Sequence, residues 1–306
     1  MIAYYQHLAT QKKLQEITSY KKNSLILVVD PSENELLYLE DHLSLELGHL
    51  KDGLDTYEVP RLEVENSTYY IFTRVLSQSS PTQKTIPILF VLTKNFVLVL
   101  SAQPIQFLFD VAASAPKSLT TQPAAIFIEI FSKINMQFSQ ALHTISYKIN
   151  QITQNVEEIE NKDIIKLVNF ENTLNDLLNI FTQTDEFFQL LLKKKENVIF
   201  ASDTEYLEDI ALEVGQLVSR CKSSLKSVTN VRNAYSTILT NNLNQVVKFF
   251  TSISVVLMIP TVIASFYGMN VGIPLSNHPF AFPTIIGITI VISILFLWLL
   301  YRKKLL

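Results

Sequence analysis

Residues 246–270 read VVKFFTSISVVLMIPTVIASFYGMN, and this stretch decides the architecture of the 306-residue chain. From Phe249 to Tyr267 it carries no charged side chain, and after Lys248 none occurs until Arg302. At ~1.5 Å per residue such a run matches the ~30 Å hydrocarbon layer of a bilayer. A second uncharged apolar run, Pro283 to Tyr301, follows after a short loop. Two membrane spans close together near the C-terminal end are the first expectation.

The first run is not uniformly apolar. Steps of three and four residues from Thr240 pass through Asn244, Val247, Thr251, Ser254, Met258, Thr261, Ser265 and Gly268, which sets all of them on one helical face. Polar side chains in hydrocarbon must find partners or water. The line therefore suits a helix bordering an aqueous path, with Val247 and Met258 as apolar constrictions. Spacing alone serves a second reading equally well, because small and hydroxylated residues also let helices pack closely.

The line ends on Tyr267-Gly268-Met269-Asn270, where the first run meets the loop. A Gly-Met-Asn tripeptide at this junction, ahead of a second span, resembles the CorA family of divalent-cation channels, which includes a related zinc-transporter branch. Asn244, Pro260, Thr261 and Tyr267 also follow the family's pattern, and Arg302-Lys303-Lys304 is similar to its basic C-terminus. The resemblance is strongest over 240–306, weaker over 61–100 and architectural elsewhere. It implies a CorA-like fold: an α/β cytoplasmic N-terminal domain, a long-helix stalk and two C-terminal transmembrane helices, assembled as a homopentamer.

The resemblance also implies roles. Gly268, Met269 and Asn270 would form the selectivity filter, with Asn270 as an outer-sphere metal contact. Asn244, Thr251, Ser254 and Thr261 would line the pore. Val247, Phe250 and Met258 would form a hydrophobic gate that closes by dewetting. Mg²⁺ sheds water reluctantly, and the segment has no carboxylate to strip it, so neutral amides would hold the ion with its water shell. Asp209 stands where the family places a regulatory Mg²⁺-binding carboxylate. Asp203, Glu205, Glu208, Asp209 and Glu213 also simply suit the positive end of a helix.

The expected activity is uptake of hydrated divalent cations, Mg²⁺ first and Co²⁺ or Ni²⁺ after it. The electrochemical gradient would drive it and the cytoplasmic domain would gate it. Mg²⁺ enters as cargo and regulatory ligand, and no cofactor is expected. The partners are other copies of the chain, divalent cations and membrane lipid. A proton-coupled Zn²⁺ transporter of the same superfamily and a non-conducting, membrane-anchored coiled-coil sensor or scaffold stand as alternatives. The family often carries acids in the loop after the signature and near the inner mouth; here residues 271–278 and Asn233 supply none.

Charge is divided along the chain. The net charge is −3, yet all 28 acids lie at or before Glu213, while Arg220, Lys222, Lys226, Arg232, Lys248, Arg302, Lys303 and Lys304 follow it. An acidic soluble portion argues against nucleic acid as a partner. Lys248 and the Arg302–Lys304 tail flank the spans, and the intervening loop has no Lys or Arg. The positive-inside rule then puts both termini in the cytoplasm of a cell-membrane protein. Residues 1–13 have no basic segment ahead of an apolar core, so no signal peptide is expected. Six glycines form no Walker loop or dinucleotide fingerprint, the five histidines show no metal-ligand spacing, and no nucleophile elbow occurs, so no enzyme is expected. The lone Cys221 excludes an internal disulfide and reads as a buried, inert thiol.

Along the chain, residues 1–120 mix strands and helices into an α/β domain. Leu25–Val29 reads as a strand, and Ser32 with Glu35 reads as a capping box for a helix to about Leu47. Arg61–Val64 and Tyr69–Leu76 pair across Glu65-Asn66-Ser67. Ile86–Leu92 and Phe96–Leu100 pair across Thr93-Lys94-Asn95. A helix is expected from Pro104 to Ala113. Residues 121–245 are helical: Pro123 to about Glu160, Asp163 to Lys195, and then a long helix opened by a second capping box, Ser202 with Glu205. Leu207, Ile210, Val214, Leu217, Cys221, Leu225, Val228, Val231, Tyr235 and Ile238 follow near-heptad steps along it. The first span occupies 246–270, the extracytoplasmic loop 271–282, the second span 283–301 and a basic tail 302–306. If unbroken, the helix carrying the first span is ~95 Å long; the alternative is a break near Asn241-Asn242.

Overall fold

Two adjacent hairpins build one side of the sheet, out to its β4 edge. Strand β4 (Arg61–Glu65) returns as β5 (Thr68–Leu76) through Asn66 and Ser67, both with φ in the left-handed region (47° and 64°). β6 (Thr85–Leu92) pairs with β5 and with β7 (Phe96–Ser101), placing Phe90 opposite Val99. The computed structural model describes residues 1–7, 14–77, 85–114, 123–154, 159–193, 204–272, 274 and 279–303. The expected Ser202 capping box and most of the loop at 273–278 lie outside these residues.

Three further strands extend the sheet on the β7 side. β1 (Ile2–His7) runs antiparallel to both β2 (Leu14–Ile17) and β3 (Ser24–Val29), and β3 runs parallel to β7. The order is β2-β1-β3-β7-β6-β5-β4. β3, β6 and β7 are buried on both faces, which is why they read as continuous apolar runs rather than alternating ones.

The two faces bury different residues, as a strand's period of two requires. One face holds Ile26, Val28, Leu89, Val91, Leu98 and Leu100 against Leu36, Leu39, Leu45 and Leu50. Those residues come from α1 (Glu33–Leu43), the following turn and α2 (Leu47–Asp52). The sequence suggests one helix to Leu47; instead α1 stops where Ser44 turns left-handed (φ 52°), which sends Leu45 into the core. The capping box at Ser32 and Glu35 is present as expected.

On the other face Phe90 meets Phe127 edge-on at 5.1 Å, within a cluster that includes Phe131, Phe187 and Phe188. α4 (Pro123–Thr153) and α5 (Asn161–Lys193) supply these rings. Each fully buried ring contributes roughly 1.5–3 kcal/mol. A one-residue slip of β6 would move Phe90 to the opposite face, so this cluster fixes the register. α3 (Gln106–Ser114) follows β7.

α6 runs unbroken for 64 residues from Thr204 to Tyr267, through Asn241-Asn242 and past Pro260. Along its seam Leu207, Ile210, Val214, Leu217, Cys221, Val228 and Val231 are buried, and Leu225 is half-buried. After a loop, α7 spans Ala281–Arg302 and has no buried residue. Both helices are long and apolar enough to cross a membrane. The chain divides into two compact units within α6, between Asn230 and Val231.

Candidate pore-lining helix and its outer tip

The residues of the polar line all lie on exposed surface of α6: Asn244, Thr251, Ser254, Thr261, Ser265 and the apolar members Val247 and Met258. At about 100° per residue they occupy an arc of about 120°, with Phe250 at its edge. Val247, Phe250 and Met258 are 53%, 62% and 60% exposed, large values for apolar side chains. Phe250 sits edge-on to Phe249, with ring centroids 5.8 Å apart.

The covered side of the same helix lies opposite. Ser252 is buried, and Val256, Ile259, Pro260 and Ile263 are half-buried. The centre of this stripe is rotated about 160° from the centre of the polar line. α7 likewise has one half-buried stripe: Ala281, Ile285, Thr289, Ser293, Phe296 and Leu300. Two antiparallel spans joined by a short loop bury such stripes when they pack on each other. The polar line is therefore not the face that α6 covers within this unit. Sequence reasoning missed Ser252 and Ser293, polar residues set among the covered apolar ones; the Ser293 hydroxyl is enclosed and has no hydrogen-bond partner among the described residues. Pro260 and Val256 belong to the covered side, so the carbonyl freed by the proline's missing N–H does not extend the polar line.

Three hydroxyls on the line share one hydrogen-bond polarity. Ser254 Oγ donates to the Phe250 carbonyl at 2.8 Å, and Thr261 Oγ1 donates to the Leu257 carbonyl at 3.0 Å. Thr240 Oγ1 donates to Ser236 in the same way, at 2.8 Å. A hydroxyl whose proton is committed to its own helix still offers oxygen lone pairs outward. Ser254 and Thr261 thus face away from the helix as acceptors.

At the tip, the Gly268 N–H closes the helix on Ala264 O (2.9 Å) and Ser265 O (3.2 Å), and Met269 N–H reaches Phe266 O at 3.3 Å. Gly268 does not have a positive φ. It is tight for a different reason: a Cβ there would lie 3.3 Å from the Ala264 carbonyl oxygen. Met269 and Asn270 follow in an exposed bend, immediately after Tyr267, whose hydroxyl lies 3.5 Å from the carbonyl of Pro274.

Asp209 lies near the start of α6, exposed, far along the chain from this line. Among the described residues no three His, Cys, Asp or Glu side chains gather in a way that could hold a metal ion. Two cavities in the same unit, of about 760 Å³ and 370 Å³, are lined from α5, α4 and α6 by residues that include Asp185, Glu208, Glu213 and Arg220, and not by Asp209. Cys221 is buried, donates to Leu174 O at 3.1 Å, and its thiol is pushed up to about 11 by burial, as an inert structural thiol should be.

The family profile described as CorA-like Mg²⁺ transporter protein matches residues 22–302. The cobalt/magnesium transport protein CorA of Methanocaldococcus jannaschii is 22% identical over 307 residues, covering 96% of this chain and 95% of that one. The structure of the CorA magnesium transporter from the same organism superposes with a TM-score of 0.84 at 18% identity, covering 99% and 98% of the two chains. The cytoplasmic domain of ZntB from Vibrio parahaemolyticus gives a TM-score of 0.66 at 10% identity, over 78% of this chain and 98% of that one.

Proposed function

This chain belongs to the CorA-like Mg²⁺ transporter family, and on that premise we propose that it admits hydrated Mg²⁺ through a path lined by the polar face of α6. It is a divalent-cation transporter by family and not an enzyme. The observation that carries the finer reading is the opposition of the two α6 faces: the covered stripe lies behind, and the line ending at Gly268-Met269-Asn270 lies free. One such helix cannot enclose a path. Identical copies, five in our reading, gather around an axis with these lines inward.

The chemistry follows from the ion's water shell. Water bound to Mg²⁺ turns its oxygen to the ion and its hydrogens outward, so a wall that holds the intact shell must present acceptors. Asn270 side-chain carbonyls at the outer tip, repeated around the axis, accept from that shell without removing it. Thr261, Ser254, Thr251 and Asn244 continue the contact inward. Gly268 and Met269 shape the tip. Val247, Phe250 and Met258 form the constrictions, where an apolar ring that loses its water stops conduction.

The driving force is the membrane potential, about 2.3 kcal/mol per elementary charge per 100 mV and so roughly twice that for a dication. Both termini lie on the side of the basic flanks, the cytoplasm. Asp209 binds regulatory Mg²⁺ between copies of the chain. Mg²⁺ is the cargo, with Co²⁺ next.

The test is Mg²⁺ influx into liposomes loaded with a Mg²⁺-sensitive dye, for the wild type and Asn270→Ala. Influx should collapse in the variant. Undiminished influx in N270A would remove the proposed filter. The same vesicles, given Zn²⁺ with and without a pH gradient, distinguish a proton-coupled zinc transporter.

A further inference from the structure

The basic end of the two spans has no acid to meet. Glu213 is the last carboxylate side chain, so Lys248, Arg302 and Lys303 have no Asp or Glu in the 93 residues that follow it. All three are exposed. Counted back from the loop, Lys248 lies ~28 Å along α6 from Tyr267 and Arg302 lies ~31 Å along α7 from Ala281, which sets both at one membrane boundary.

At that boundary the Arg302 guanidinium stands over the Trp298 ring, 5.5 Å from its centroid. The pair occupies the face of α7 turned away from the half-buried stripe on Ser293, Phe296 and Leu300. Trp298 is 56% exposed and Arg302 forms no ion pair among the described residues. A cation–π contact occupies none of the guanidinium's N–H donors, which keep the fork that matches a phosphate. A tryptophan in the interfacial layer fixes depth, with its apolar body toward the acyl chains.

We propose that Trp298 and Arg302, with Lys303 at the helix end, form a binding site for the phosphate of an anionic phospholipid on the lipid-facing side of α7. Lys248 adds positive charge at the same level. Arg302 is thereby neutralised from the membrane side, which also removes its charge from the cation path.

Trp298 is the single tryptophan of the chain, so it reports on its own neighbours. The full-length protein is placed in phosphatidylcholine vesicles containing equal fractions of either brominated phosphatidylglycerol or brominated phosphatidylcholine, with bromines high in the acyl chain. Quenching of Trp298 gives the relative affinity of its annulus for the two lipids. The expected preference for the anionic lipid is about fivefold, the scale for one engaged basic side chain. It should fall to about one in Arg302→Gln and survive in Arg302→Lys. Equal quenching by the two lipids in the wild type, a measurement that needs no variant, overturns the proposal. So does an unchanged preference in R302Q. Loss of the preference in inorganic phosphate, but not in chloride of matched ionic strength, would identify a free-anion site and overturn it as well.

Discussion

Thr261 gives its hydroxyl proton to the carbonyl of Leu257, at 3.0 Å, and so keeps only oxygen lone pairs for whatever lies beyond the helix. Thr261→Val keeps the shape of the side chain and removes that acceptor. The loss of one such contact to a hydrated ion corresponds to about tenfold in rate. Dye-loaded liposomes should therefore show Mg²⁺ influx about tenfold slower for T261V and close to wild type for T261S. Wild-type influx in T261V would mean that the line does not touch the ion's water shell.

Much of this was legible because it depends on local rules. The capping box at Ser32 and Glu35 needs only neighbouring residues, and so does the start of α4 at Pro123. The seam from Leu207 to Val231 shows in spacing alone, since near-heptad steps keep one stripe toward the core. The parallel pairing of Ser24 with Phe96 was not legible: it joins residues some 70 positions apart, and no local signal encodes it. β1 and β2 were missed for the same reason, being short segments ordered by pairing, β1 with β3 and β2 with β1. At the site, periodicity placed Thr251, Ser254 and Thr261 on one face but could not say whether that face was covered. The answer came from Ser252, Val256, Ile259 and Ile263, whose buried and half-buried surfaces no local pattern specifies.

Gly53 ends α2 directly against the sheet. A Cβ built there would stand 2.7 Å from Leu89 Cβ and 3.3 Å from Leu100 Cδ2, within the core that also holds Leu50. The strand cannot retreat, because Leu89 is paired with Phe72 on one side and Leu100 on the other. Overpacking of this kind costs about 1–3 kcal/mol. Gly53→Ala should lower the thermal midpoint of the detergent-purified protein by several degrees. Gly48→Ala, where a Cβ meets nothing within 4 Å, should leave it unchanged. Equal midpoints for G53A and G48A would mean that α2 shifts freely on the sheet.

The carboxylate of Glu35 links the N-cap of α1 to stability in acid. It accepts the Ser32 N–H at 2.8 Å and lies 3.1 Å from the Met1 amino group. The Ser32 N–H, followed by the amino group, holds its pKa below the ordinary carboxylate value. A carboxylate whose pKa is lower folded than unfolded stabilises the protein fully above the unfolded value. That contribution fades as pH falls through the folded one. Wild type should therefore melt above Glu35→Gln at neutral pH, by a gap that holds down to about pH 5.5 and closes below about pH 4. Thermal midpoints of the two proteins across that range measure the gap. The side chain is 33% exposed, so screening keeps the gap small and added salt should narrow it further. A gap that stays constant down to pH 3 would mean that the Ser32–Glu35 contact does not favour the ionised form, and that the amide substitution lowers stability through shape rather than charge.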